Sequence, residues 1–251
     1  MPVDVALGGA PVETIVVGRS APLAKRAPFA YDLAATPVRT GLIRPGEDLP
    51  ALVAAAVRGI ARPQDVVAVS ETAVAIAQNR TIAAETVRPS RLAYALSRRA
   101  GALATVNQPE SLQLVIDEAG PWRVLIAAVA HVAGRLAGRR GLFYSVLGEA
   151  ISAIDGYTGT LPPFERTIVL GPRAPDRAAA EIARRSGSFA IVVDANDLGI
   201  VNVLGASPGV VRERAATALQ ANPHGNGDEQ TPIVVLAWRG RGRSPLTVTR
   251  A

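Results

Sequence analysis

Apolar and polar positions along the chain follow two periods. Short apolar runs rich in β-branched residues, bounded by turn formers, predict strands at Thr14 to Val17, Val66 to Val69, Thr167 to Leu170, Phe189 to Val193 and Ile233 to Trp238. Helical spacing covers Leu49 to Ile60, with Asp48 placed to cap it. Pro89-Ser90 opens a helix running to about Arg99, and Pro109-Glu110 opens Ser111 to Glu118, which Gly120-Pro121 breaks. Asp176 to Ser186 is helical, and Ser207-Pro208 starts a helix ending near Gln220. Ala73 to Arg80 and Val124 to Ala130 fit more than one state, and Gly134 to Gly141 reads as a glycine- and arginine-rich loop. The order strand, helix, strand from Thr167 to Val193 predicts a crossover unit in a parallel or mixed sheet. The fold class is therefore α/β (α+β), mixed sheets with helices. An irregular arm at 1–35 precedes a domain at 36–238, and a basic, loosely held tail follows at 239–251.

Composition narrows the function. The chain has 251 residues, of which 49% are hydrophobic, enough for a sizeable core. No apolar run is long enough to span a membrane, and the N-terminus lacks a signal-peptide pattern, so a cytoplasmic protein is expected. Without cysteine there is no disulfide framework, thiolate nucleophile or zinc–thiolate site. The net charge of +6 is carried almost wholly by arginine, which suits phosphate and carboxylate ligands. The basic residues are dispersed and few aromatics accompany them, which argues against nucleic acid.

The chain carries no P-loop, no Rossmann glycine fingerprint and no Gly-x-Ser-x-Gly elbow. What it does carry are acids and polar loops after strands: Thr40 to Ile43, Ser70-Glu71, Asp155, Asp194 to Asp197, and Gly225 to Pro232. Asp194, Asn196 and Asp197 offer hard oxygen ligands of the kind Mg²⁺ or Mn²⁺ takes. Glycines in the last loop let backbone N–H groups approach phosphates. The pattern fits metal-assisted phosphoryl transfer without a Walker motif. It fits polar turns equally well, since Asn and Asp bond their own backbone after strands.

Several stretches resemble the gamma-glutamyl ligases of coenzyme F420. Gly41-Leu42-Ile43-Arg44-Pro45-Gly46-Glu47-Asp48-Leu49 and Asp65 to Thr72, through Gln78-Asn79-Arg80, are similar to the opening of that family. Ala153-Ile154-Asp155-Gly156-Tyr157-Thr158 resembles its Gly-Ile-Asp-x-Ser-Asn motif, and Val192 to Asn196 its Thr-Asp-Thr-Asn motif. Gly225-Asn226-Gly227-Asp228-Glu229-Gln230-Thr231-Pro232 resembles its glycine-rich nucleotide loop. The resemblance implies a gamma-glutamyl-ligase-like fold and a GTP-dependent enzyme, homodimeric like its relatives. In that family GTP phosphorylates a carboxylate of the deazaflavin precursor, and the amine of L-glutamate attacks the acyl phosphate to form an amide. It implies nucleotide contacts at Thr40, Gly41, Leu42, Ile43, Ser70, Glu71, Thr158 and Gly225 through Pro232. It implies divalent metal, Mg²⁺ or Mn²⁺, on Asp155 and Asp194, with Glu229 standing in for a family glutamate that falls near Asn226. The sequence departs at Ile76, where the family has a lysine, at Gln78-Asn79-Arg80 for Glu-Gly-Arg, at Thr158 for Asn, and at apolar Leu198 to Leu204 for an arginine-rich stretch. These departures give the alternative reading, a nucleotide- or ligand-binding member of the family without turnover.

Overall fold

The computed structural model describes residues 5–7, 10–12, 33–99, 107–136, 138, 142–147, 166–196, 199–225, 229–240 and 244–247. The chain divides into two compact units, Met1–Asn79 with Pro172–Ala251, and Arg80–Gly171. Among the described residues there are eight helices, a five-stranded mixed sheet and two two-stranded sheets.

In the first unit β1 (Val5–Leu7) and β2 (Ala10–Val12) form an antiparallel hairpin, where the sequence predicts irregular chain. The Thr14 to Val17 strand candidate lies outside the described residues. The main sheet contains β3 (Leu33–Val38), β4 (Val66–Ser70), β7 (Phe189–Ala195), β8 (Val201–Ala206) and β9 (Ile233–Trp238), in the order β3-β9-β4-β7-β8. β4 and β7 run parallel and every other pairing in it is antiparallel.

Val66, Val67, Ala68 and Val69 are all fully buried, because both faces of the sheet are covered. Val67, Val69, Ala190, Val192, Ile233 and Val235 face one core, packed with α1 (Leu49–Ala56), α2 (Glu71–Ala77) and α7 (Pro175–Ser186). Val66, Ala68, Ile191, Val193, Val234 and Leu236 face the other, packed with α8 (Arg212–Ala218) and Leu246. Each such valine or isoleucine contributes roughly 1.5–3 kcal/mol by leaving water.

The Asp48 cap forms as expected: its Oδ1 accepts from the Ala51 N–H at 3.2 Å. Asp48→Ala should therefore cost about 1 kcal/mol in urea unfolding. An unchanged midpoint would show that this cap carries no stability.

Strand β8 contains a bulge. Val192 pairs with Gly205 but Val193 pairs with Val203, so Leu204 is the extra residue. The bulge turns Gly205 toward α7 while Val203 and Ala206 stay in the α8-side core. A Cβ on Gly205 would overlap the Pro175 carbonyl group and stand 2.6 Å from the Asp176 nitrogen. Glycine is thus what lets the N-terminus of α7 rest on the strand. Asp176 fastens the contact, accepting from the Ala206 N–H at 2.9 Å and from Arg212, whose Nη1 donates to the Val203 carbonyl at 3.0 Å.

The second unit holds β5 (Thr81–Ala83) antiparallel to β6 (Thr167–Val169), with α3 (Arg91–Ser97), α4 (Pro109–Ala119), α5 (Pro121–Leu136) and α6 (Leu142–Leu147). Leu112, Val115, Ile116, Val124, Ala127, Leu147 and Ile168 form its core.

Four expectations need correction. The strand at Thr167 does not feed a crossover into Phe189, because β6 pairs with β5 in its own sheet; the parallel partner of β7 is β4. Ser207-Pro208 does not start a helix: the Ser207 hydroxyl accepts from the Ala190 N–H at 3.0 Å, and α8 begins four residues after Pro208. The loop expected from Gly134 begins as helix, since α5 runs to Leu136. The C-terminal tail is anchored at 244–247: Leu246 is fully buried, its carbonyl accepts from the Val211 N–H at 2.8 Å, and Val210 bridges to Thr247.

Candidate functional site

Strand direction assembles the candidate site. β3, β4 and β7 run the same way and β9 runs against them, so the carboxyl ends of the first three and the amino end of β9 share one edge. Open α/β sheets bind ligands at such an edge. It gathers the segment after β3 (Thr40 to Ile43), Ser70 and Glu71 at the β4–α2 junction, Asp194 near the end of β7, and Glu229 to Pro232 before β9. Two backbone bonds tie these pieces together: Thr40 N–H to the Gln230 carbonyl at 3.2 Å, and Ser70 N–H to the Pro232 carbonyl at 2.8 Å.

The individual side chains play different parts. Thr40 is buried and its hydroxyl donates to the Gly41 carbonyl at 2.9 Å. Gly41 takes a left-handed φ of 72°, which turns the chain after β3. Leu42 is exposed, whereas Ile43 belongs to the core under α1 and α2. Glu71 is buried in the first turn of α2, where a carboxylate complements the helix dipole.

Asp194 lies within β7, so the strand outlasts the apolar run and the acid does not fall beyond its end as the sequence suggests. By alternation it shares a face with Val192, the α2 and α7 side of the sheet. It pairs in register with Asn202 of β8. Burial pushes its carboxyl pKa up, and a hydrogen bond to the Asn202 side chain acts the other way. Asn196 makes the turn that follows: its Oδ1 accepts from the Ile200 N–H at 3.2 Å. Turn chemistry therefore accounts for Asn196, while Asp194 is the acid the strand places on the edge. Asp197 lies outside the described residues.

The closing segment is held from within. His224 Nδ1 meets the Thr231 carbonyl at 3.2 Å, and the Thr231 hydroxyl donates to the His224 carbonyl at 2.5 Å. A carbonyl only accepts, so Nδ1 carries the proton and the fully buried Nε2 holds a lone pair. Burial lowers the His224 pKa to about 4, with the Thr231 carbonyl acting in the opposite sense. Gly225 has φ 72°, and a Cβ there would stand 2.7–2.9 Å from the Glu229 carboxylate, so that acid folds back over the glycine.

The low His224 pKa sets a pH window. The unfolded histidine protonates near its ordinary 6.5 and the folded one only near 4. Stability from this group is complete above the first value and is lost as pH falls toward the second. Urea unfolding between pH 7 and 4.5 should lose stability less steeply in His224→Asn than in the wild type; parallel curves would refute the assignment.

Asp155, Thr158, Asn226, Gly227 and Asp228 lie outside the described residues. Among the described residues no three His, Asp or Glu side chains come together as a ready-made metal cluster; the carboxylates in the segments at this edge are those of Glu71, Asp194 and Glu229. Sequence reasoning missed Asn202 and His224. The alternation Val201-Asn202-Val203 was the available signal for the first, since it marks a strand with Asn202 on the face opposite the valines. No helix among the described residues is long and apolar enough to cross a membrane.

A family model described as F420-0:Gamma-glutamyl ligase matches residues 37–188. The matched stretch contains Thr40 to Ile43, Ser70, Glu71, Asp155 and Thr158, and stops before Asp194 and the closing loop. No curated protein matches the chain.

Proposed function

Because the chain belongs to the F420-0:gamma-glutamyl ligase family, whose role is amide formation, we propose that it joins a deazaflavin-type carboxylate to L-glutamate at the expense of GTP. The observation that carries this reading is the common sheet edge: three segments that resemble the family's motifs, far apart in sequence, end there beside Asp194. The Gly41 to Ile43 and Glu229 to Thr231 segments would line a nucleotide's phosphates, with Ser70 and Glu71 between them, while the Thr40 N–H is spent on the Gln230 carbonyl that ties the two segments together. Asp194 and Glu229 hold a divalent ion, Mg²⁺ or Mn²⁺, which when bound supplies charge neutralisation on the phosphates.

The substrate carboxylate oxygen attacks the γ-phosphorus, the bond to the β-phosphate bridging oxygen breaks, and GDP leaves. The glutamate amine then attacks the acyl carbon, phosphate departs and the amine loses a proton to solvent. The protein's part is placement, since phosphoryl transfer gains most from positioning and fixed dipoles. A homodimer, as among the family's relatives, is part of the proposal.

The test is direct. Protein with Mn²⁺, GTP, deazaflavin precursor and L-glutamate should yield GDP and the glutamylated product, and Mn²⁺ with GTP should raise the melting temperature. Failure of any nucleotide to stabilise the protein in the presence of metal would refute the reading. Ile76 favours a second one. It stands where the family has lysine, and it packs against the apolar core beneath α1 and α2. Nucleotide-dependent stabilisation with no GDP release would establish a binding protein in place of a ligase.

A further inference from the structure

We propose that the outer face of α5 is the surface through which two copies of this chain pair, helix against antiparallel helix about a two-fold axis. The inference gives a surface to the homodimer of the preceding reading and uses none of its chemistry. α5 is apolar on both sides. Its inner side places Val124 and Ala127 in the core of the second unit, and His131 meets the Phe143 ring edge-on at 6.5 Å. Its outer side leaves Trp122, Ile126, Val129 and Val132 exposed at 76, 61, 69 and 59%. A helix that is apolar all round belongs inside an assembly. Ala133 completes the outer stripe, and Arg123 is the one charged residue among the exposed positions described in α5. The spacing is self-complementary: Trp122, Ile126, Val129 and Ala133 recur at intervals of four, three and four, the same in both directions. An antiparallel copy therefore sets Trp122 against Ala133, the largest side chain over the smallest, and Ile126 against Val129 at the axis. The four large side chains expose about 500 Å² per copy, so a pair has about 1,000 Å² of largely apolar surface to bury, the scale at which a stable interface begins. Antiparallel packing also opposes the two helix dipoles. A lipid surface fits less well, because Asp117 and Glu118, both exposed, precede the stripe by a few residues and repel anionic headgroups.

The experiment is sedimentation of the full chain between about 1 and 100 µM. The wild type should sediment at twice its 26.0 kDa. Ile126→Lys should raise the dimer dissociation constant at least about a hundredfold while keeping a native circular dichroism spectrum, since the side chain is exposed in a single copy. A second measurement stands if that variant fails to fold. The chain has no cysteine, so Ile126→Cys and Ala133→Cys each carry a single thiol. Across the axis the two copies of residue 126 lie about 5 Å apart along the helices, and those of residue 133 about 16 Å. Mild oxidation should cross-link Ile126→Cys and leave Ala133→Cys single. A dimer that survives Ile126→Lys, or equal cross-linking of the two cysteine variants, would overturn the proposal. So would a monomeric wild type, and one that pellets with phosphatidylglycerol vesicles would assign the face to lipid. Sedimentation reads the interface and GDP release reads the ligase, so either proposal can fail alone.

Discussion

Asp194→Asn should release GDP about a thousandfold more slowly than the wild type, while melting no lower than the wild type at neutral pH. The two halves of this result have one cause. Asp194 sits half-buried in β7 with Asn202 opposite, and burial raises its pKa. A carboxyl group whose folded pKa lies above its unfolded value favours folding only when protonated; that contribution is lost as pH rises through the folded value. At neutral pH the fold therefore bears a charge that the Asn202 hydrogen bond compensates only in part, and asparagine removes it at nearly constant volume. A group retained at such a cost makes sense where a cation compensates it. The metal-dependent rise in melting temperature should vanish in the variant. Turnover within tenfold of wild type would remove Asp194 from the site, and a melting temperature several degrees lower would make it a structural residue.

Gly205→Ala should lower stability by about 3 kcal/mol or more, and the melting temperature by roughly 10 °C. Most overpacking substitutions are relieved by a rotamer change nearby, but here the obstacle is the Pro175 carbonyl and the Asp176 nitrogen, both main chain. Relief requires α7 to lift from β8, which would break the Asp176 bond to Ala206 and disturb the core around Ile182 and Ala179. Because β8 also presents Asn202 to Asp194, metal-dependent stabilisation should weaken in parallel. A melting temperature within 1 °C of wild type would show that α7 does not press on the strand there.

How much of this was legible in the sequence depended on range. Ile233 to Trp238, the Val66 run, the Asp48 cap and the helix through Ser186 are set by neighbours within a few residues, and the structure has them where pattern and capping put them. The pairing partners were not legible. Three residues of β6 carry no record of which sheet they join, and the distinction decides whether the helix after them is a crossover. Ser207-Pro208 has the local signature of a helix start, yet a long-range acceptor role for the Ser207 hydroxyl prevails. Leu246 looked like part of a charged tail, and only the fold shows the hollow beside α8 that it fills.

For the site, resemblance of motifs identified the segments and topology brought Thr40, Ser70, Glu71, Asp194 and the Glu229 to Pro232 stretch to one edge. Asn202 and the His224–Thr231 pair depend on register and loop closure, which no local pattern encodes.

The position of β9 bears on how the protein is made. The last strand among the described residues lies between β3 and β4 and bonds to both. During synthesis β3 (Leu33–Val38) and β4 (Val66–Ser70) emerge from the ribosome long before β9 (Ile233–Trp238), the partner that joins them. Arg80–Gly171, by contrast, is contiguous and has a core of its own that can collapse while translation continues. The main sheet must wait with its apolar edges open until β7, β8 and finally β9 are made, so chaperone dependence in vivo and slow refolding in vitro are expected to trace to these late strands.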